Sequence, residues 1–283
     1  MSIAQILMIY LRFFKIYLSR LTQSAKFAAM VELQKTRKGF FDMLPKYNAF
    51  QLKLFMVILM VFDHIDHIPG LLPIELAGVF HVLTRCVGVF FAFLAVDGFR
   101  YTHDRKRYVL RLFVWAAIMA AGNTVYNLIA ADPALSIHNN IFFPLALGVL
   151  MLCVLAGSGP LPLRICGVVF LVLFASIFAE GGIVVLPFML ITYLCRDRIL
   201  LRNLLYLALG ALLFVMSFVP YPTLSETLTM LAINSEFMFP LVIPFLAMYD
   251  GTRGPKTAFS KYFFYVFYPL HLWIIGLIAL LVR

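Results

Sequence analysis

The apolar positions of this chain gather into long runs with no period-two alternation. They lie at roughly residues 51–68, 76–99, 108–130, 141–156, 163–179, 182–195, 203–219, 229–249 and 262–282. The polar breaks between them are short, and several carry turn residues: Pro69-Gly70, Gly157 through Pro162, Gly181-Gly182, and Gly251 through Pro255. Recurring runs of this length predict crossings of a ~30 Å hydrocarbon core. Lipid offers no hydrogen bonds to a free backbone, so a spanning segment is a helix or a strand of a closed barrel. The runs are too long for barrel strands. The pattern predicts an all-α, polytopic membrane helical bundle of about nine transmembrane helices.

Ahead of these runs stands a different segment. Residues 3–18 are apolar but interrupted by Arg12 and Lys15, which share a narrow polar helix face with Gln5 and Ser19. This predicts an interfacial amphipathic helix beside anionic lipid. Residues 19–50 read as a polar, basic cytoplasmic linker. The chain therefore divides into a basic N-terminal segment, 1–48, and a transmembrane domain, 49–283, with no evident internal repeat. The first positive charge follows the opening apolar stretch, so no cleavable signal peptide is expected.

Composition and charge sharpen this picture. Of the 283 residues, 63% are hydrophobic and 13% charged, against about 25% charged in soluble domains; mean hydropathy is +0.97. A net charge of +10 could suggest nucleic acid, but the basic residues are placed for membrane topology. Nine of the 23 lie in the N-terminal segment through Lys53. The rest gather in alternate connections: Arg100, Arg105, Lys106, Arg107 and Arg111; then Arg164; then Arg196, Arg198 and Arg202; then Arg253, Lys256 and Lys261. The intervening loops hold none. Cytoplasmic loops collect Lys and Arg, which predicts a cytoplasmic N-terminus and a periplasmic C-terminus. Only Arg85 and Arg283 stand outside the alternation. The four cysteines form no CxxC pair and are expected to be reduced packing residues.

Ionisable groups inside a membrane are costly and mark pathways or catalytic sites. The first span contains Asp63, His64, Asp66 and His67, the second Arg85, and the last His271. At the rise of an α-helix, Asp63 and His64 lie roughly 18 Å from the cytoplasmic end of their span and His271 roughly 14 Å from the end of its own. Arg85 descends from the opposite side to a similar level. Buried charges need partners, so these helices are expected to surround one polar pocket. A carboxylate beside an imidazole can fix its tautomer and raise its basicity, as a general base requires. Three other roles stay open: an Asp63–Arg85 structural ion pair with interhelical histidine bonds, a proton relay in a transporter, and a metal site. The last is opposed by the charge of Arg85, and no metal is expected. Asp97 pairs with Arg100 in this reading. Glu180, Glu226, Asn139 and Asn140 are assigned solvated or capping roles, while Glu236 and Asn234 could join the pocket.

Three separated motifs carry a family likeness. Leu52-Lys53 through Asp63-His64, the segment RCVGVFFAFLAVDGFRYTHDRKRYVLRL (85–112) and the terminal KYFFYVFYPLHLW (261–273) resemble the TraX family over about residues 50–282. The likeness departs after Arg85, where Cys86-Val87-Gly88 follows without a second arginine. It implies a multi-pass acyltransferase of the bacterial inner membrane. Such a protein moves an acetyl group from cytoplasmic acetyl-CoA to a pilin N-terminus or another envelope acceptor, including a glycan. Carried over by motif, the expected catalytic residues are His64, Asp63, Arg85 and His271. Arg100, Arg105, Lys106 and Arg107 are expected to hold the phosphates of coenzyme A, a task that overlaps with topology sorting. A non-catalytic assembly factor is the remaining alternative.

Overall fold

The computed structural model describes residues 44–283. The interfacial stretch 3–18 and the linker up to residue 43 lie outside the described residues. The folded unit runs from Tyr47 to Arg283, and among the described residues it contains helices and no strand, only an isolated bridge between Tyr47 and Tyr249.

Helices stand at every predicted place. They are α1 (Ala49–His64), α2 (Ile74–Thr84), α3 (Cys86–Tyr101), α4 (Arg105–Ala130), α5 (Phe142–Leu155), α6 (Leu161–Phe178), α7 (Gly182–Leu194), α8 (Ile199–Ser217), α9 (Leu224–Ile233), α10 (Val242–Met248) and α11 (Ala258–Val282). Among the described residues, five are long and apolar enough to cross a membrane: the α2–α3 pair, α4, α6, α8 and α11. A sixth crossing is added if α9 and the stretch Glu236–Met248 count as one broken span. Helices α5 and α7 are apolar but shorter, and α1 is a 16-residue helix. The run expected as one span at 229–249 is therefore bent, by 59° at Asn234-Ser235. A 3₁₀ stretch, Glu236–Leu241, with Pro240 inside it, follows the bend. Proline removes a backbone donor and kinks a helix.

The helix starts are written locally. Asn48 and Gln51 form a capping box at α1, as do Thr223 and Glu226 at α9 and Thr257 and Ser260 at α11. Each satisfies two amides that a helix start leaves without intrahelical partners. The 28-residue stretch of α2 and α3 is interrupted at Arg85 alone. There the Thr84 hydroxyl lies 2.8 Å from the Phe80 carbonyl and 3.1 Å from that of His81. Side chains that bond back to the preceding turn compete with the helical ladder and bend it.

Helix α3 is the centre of the bundle and packs on α1, α5, α7 and α10. Its buried face is partly small, with Ala92 and Ala95 inaccessible or nearly so, which lets neighbouring backbones approach. Helix α11 packs on α1 and α4. A Cβ at Gly122 of α4 would overlap the Trp273 ring of α11, so glycine permits this seam. The outer helices present large apolar side chains outward, among them Phe170, Ile177, Phe178, Val215 and Leu281. Such a surface suits lipid and would be an aggregation liability in water.

Candidate functional site

Helix α1 ends at His64, and a 3₁₀ turn, Ile65–His67, follows at once. This change of winding places Asp63, His64, Asp66 and His67 around one end of α1, facing α2 and α11. The Asp63 carboxylate is the hub. It accepts a hydrogen bond from the Thr84 hydroxyl at 2.5 Å, and its Oδ1 lies 3.4 Å from His81 Nδ1 and 3.8 Å from an Arg85 amino group. His81 lies 3.0 Å from Asp66 through Nε2, and the Arg85 guanidinium donates to its Nδ1 at 2.6 Å. The expected Asp63–Arg85 pairing is therefore present at 3.8 Å, and Arg85 bonds more closely to His81, on the turn before it.

The two other imidazoles sit differently. His64 Nε2 is 3.8 Å from Asp63 Oδ2, and its ring centroid is 5.4 Å from that of His271 and 5.5 Å from that of His67. His271 is buried and stacks on Phe267 at 5.2 Å. Its Nδ1 lies 3.1 Å from the Phe267 carbonyl, which can only accept. The proton therefore resides on Nδ1, leaving Nε2 with a lone pair. That Nε2 is buried and has no hydrogen-bond partner.

Asp63, His64, His67, His81, Thr84 and Arg85 line one cavity of about 240 Å³. His271 does not line it; it supports His64 from behind. Loops close the opposite wall. Glu180, between α6 and α7, accepts from Asn139 Nδ2 at 2.6 Å and from the Asn140 amide at 2.9 Å. Asn139 is held in turn through its carbonyl by Asn123, which also receives the Trp273 indole N–H. The Tyr268 hydroxyl accepts from the Ile141 amide at 3.2 Å. Glu180, Asn139, Glu236 and Tyr268 all reach the cavity. Glu180 and Asn139, expected in solvated or capping roles, thus belong to its wall. Asn140 is likewise bound internally, donating to the Ala116 carbonyl. Glu226 keeps its expected capping role. The surrounding protein desolvates Glu180 and raises its carboxyl above the ordinary range, against the pull of the bonds from Asn140 and Asn139.

His81 and Thr84 are the residues that sequence reasoning missed. Their signal was available: both lie within one turn of Arg85, and His81 is four residues before it, on the same helix face.

The chain can now be compared with known proteins. The sequence profile of the TraX protein family matches residues 49–279. The chain belongs to the TraX family. The matched segment begins with α1 and takes in every residue that lines the cavity, from Met60 to Tyr268, together with His271 behind it. A relative in Dichelobacter nodosus, "Probable fimbrial assembly protein FimC, serogroup H1", is 26% identical over 238 residues, covering 80% of this chain and 93% of its own length. No solved structure matches the chain significantly.

Two further cavities adjoin the first, and a third lies beyond one of them. One of about 110 Å³ shares Met60, Phe91, Ile141 and Tyr268 with the first. That one in turn shares Lys53, Leu94, Tyr108, Lys261 and Tyr265 with a larger cavity of about 430 Å³. In the other direction, a cavity of about 410 Å³ shares Arg85 and Glu236 with the histidine cavity and reaches Ser217, Val219 and Asn234. Shared walls thus link the four in sequence along the bundle.

Of the expected phosphate ligands, Arg100 and Arg105 line a separate surface cavity with Tyr101, Thr102 and His103. Arg105 also lies over the Phe99 ring at 4.5 Å. Arg107 is exposed and paired with Asp104 at 2.9 Å, and Lys106 is exposed. Asp97 accepts from the Tyr249 hydroxyl at 3.1 Å rather than pairing with Arg100. Among the described residues, the four cysteines are free; Cys86 and Cys195 are buried, whereas Cys166 is exposed. No group of three His, Cys, Asp or Glu side chains among them is arranged to hold a metal ion.

Proposed function

We propose that this protein is an acetyltransferase of the inner membrane that moves an acetyl group from cytoplasmic acetyl-CoA to an amine of an envelope acceptor, a pilin N-terminus being the first candidate. The observation that carries this reading is His64, an imidazole beside a carboxylate, lining a cavity whose neighbours lead toward both ends of the bundle. The fimbrial relative and the family resemblance support a pilus-related acceptor.

Asp63 lies nearest Nε2 of His64 and would hold the ring proton there, leaving Nδ1 basic. That nitrogen takes a proton from the acceptor amine as the amine attacks the thioester carbonyl. A C–N bond forms, and the carbonyl oxygen becomes an oxyanion. Arg85, the Tyr268 hydroxyl, or both donate to it within a site that excludes most water. When the tetrahedral intermediate collapses, the C–S bond breaks and the thiolate takes the proton from His64. The products are an acetamide and free coenzyme A. His271 positions the His64 ring.

The alternating basic loops support nine crossings, with the N-terminus inside and the C-terminus outside. Lys53, Tyr101 and Lys261 then mark the cytoplasmic end, and Ser217, Val219 and Asn234 the periplasmic end. Donor and acceptor approach His64 from opposite sides.

The test uses the purified protein in proteoliposomes with radiolabelled acetyl-CoA and a pilin N-terminal peptide. Label on the peptide's α-amine is expected. Folded protein that transfers no label, yet moves protons across the bilayer in a manner requiring Asp63 and His64, would make it a transporter instead.

A further inference from the structure

The 430 Å³ cavity is gathered from five chain segments: the starts of α1, α4 and α11, the end of α3 and the loop after α10. Backbone bonds knit them together, with Tyr47 N donating to Met248 O at 2.8 Å and Ala49 N to Thr252 O at 2.9 Å. Lys53, Arg111, Arg253 and Lys261 line the cavity, with Asp97 as its only carboxylate. Among the described residues none of the four cations is ion-paired. Arg111 lies over Tyr108 at 5.2 Å, and its Nε is buried without a partner. Topology sorting requires cations at this end of the bundle but not that they converge, unpaired, on one hollow. Converging, unpaired cations call for a polyanion.

Three of these helices, α1, α3 and α11, carry a stripe from this hollow to His64. On α1 the stripe is Lys53, Met60 and His64; on α11 it is Lys261, Tyr265 and Tyr268; on α3, running the other way, it is Gly98, Leu94, Phe91 and Gly88. These spacings of three, four and seven keep each set on one helix face. From Lys53 to His64 the rise is about 16 Å. Between the two ends lies the 110 Å³ neck, walled largely by Phe, Tyr, Leu and Met. A bulky group does not fit there, whereas a slender chain does.

We infer that the Lys53–Arg111–Arg253–Lys261 cavity binds the phosphorylated nucleotide head of an acyl thioester, and that its arm threads the neck to present the acyl carbon at His64. This rests on the acetyl-transfer reading and deepens it. It moves the phosphate site inward from Arg100–Arg107, whose Arg100 and Arg105 stand beside the mouth through the shared residues Tyr101 and Thr102.

The test measures binding and transfer separately, on full-length protein in nanodiscs. Adenosine 3′,5′-bisphosphate serves as the head probe and acetyl-CoA as the donor. Arg253→Ala and Lys261→Ala should each weaken both ligands roughly tenfold, the size of one lost charge-assisted hydrogen bond. Arg198→Gln, removing an exposed cation of the same end, should leave binding unchanged. Leu145→Trp, at a residue that lines the neck and not the head cavity, should leave head-probe binding as in the wild type while transfer falls at least tenfold. Transfer with an unchanged KM in the Arg253 and Lys261 variants would overturn the cavity assignment while leaving the enzyme reading intact. Undiminished transfer in Leu145→Trp would overturn the path through the neck. Wild-type protein that binds neither ligand would overturn both inferences together.

Discussion

Two polar clusters meet at the end of α1, and their hydrogen bonding is opposite in character. Around Asp63, the Thr84 hydroxyl, His81 and Arg85 converge from α2 and its C-cap, and Asp66 closes the far side of His81. A few ångströms away His64 and His271 face each other with no such network, and the Nε2 of His271 has no partner at all. A buried polar group left unsatisfied is expensive, and a membrane interior makes it more so. The contrast assigns the two clusters different work. The carboxylate side bonds α1 to α2, and in the proposed reaction the imidazole side keeps lone pairs available for proton transfer.

Single substitutions should separate these roles, because the imidazole cluster is read in rate alone and the carboxylate cluster in stability as well. His64→Ala carries the largest expected effect. Acetyl transfer should fall about a thousandfold or more, within the range that a general base supplies, while membrane insertion and thermal stability stay near wild type. Mass spectrometry of the acceptor is the measurement, and intact acetylation would remove His64 from the reaction. Asp63→Asn should act on both readouts, slowing transfer because the tautomer of His64 is no longer fixed and lowering stability as well. It leaves Arg85 and His81 without their shared counter-charge, a loss of about 3–5 kcal/mol for a broken buried pair. Thermal unfolding in detergent should show a midpoint several degrees lower. An unaltered midpoint would mean that the Asp63 network does not fasten α1 to α2.

The two clusters also differ in how far they could be read from sequence. The depths of Asp63, His64, Arg85 and His271 follow from counting residues along regular helices, and their convergence follows from the cost of burying charge alone. His81 was overlooked because a lone histidine in an apolar run attracts notice only once its helical neighbours at positions 84 and 85 are considered with it. Glu180 and Asn139 reach the cavity from loops, whose path has no period to extrapolate. The same limit hid the basic hollow, since Lys53, Arg111, Arg253 and Lys261 are brought together by connections distant in sequence. The bend at Asn234-Ser235 was marked by Pro240 and by polar Asn234, Ser235 and Glu236 within an expected span. Hydropathy averaged over the run concealed it.

Within the imidazole cluster a finer comparison is possible. His64 lines the cavity, whereas His271 lies behind it, stacked on Phe267 and bonded to that residue's carbonyl. His271→Asn retains a side-chain donor for the carbonyl but removes the ring that supports His64. The expected result is a fall of about tenfold in kcat, with the KM for acetyl-CoA and the midpoint of unfolding nearly unchanged. A loss as large as that of His64→Ala would place His271 among the groups that touch substrate.

The smallest effect belongs to Glu180, at the junction of the cavity wall and the loops. Desolvation raises its folded-state pKa, despite bonds from Asn140 and Asn139 that favour the ionised form. A carboxyl with a raised folded pKa binds its proton more tightly folded than unfolded. Its contribution to stability is complete below the unfolded value, about 4.3, and is lost as pH rises through the folded value. Glu180→Ala should therefore flatten the stability profile over that acidic interval while lowering stability overall, because Asn139 and the Asn140 amide lose their acceptor. Unfolding midpoints of the two proteins, recorded from pH 4 upward, should converge as the medium becomes less acidic. Midpoints that instead separate over this interval would show that the bonds to Asn139 and Asn140 outweigh desolvation, and that Glu180 stands in the cavity wall as a charged carboxylate.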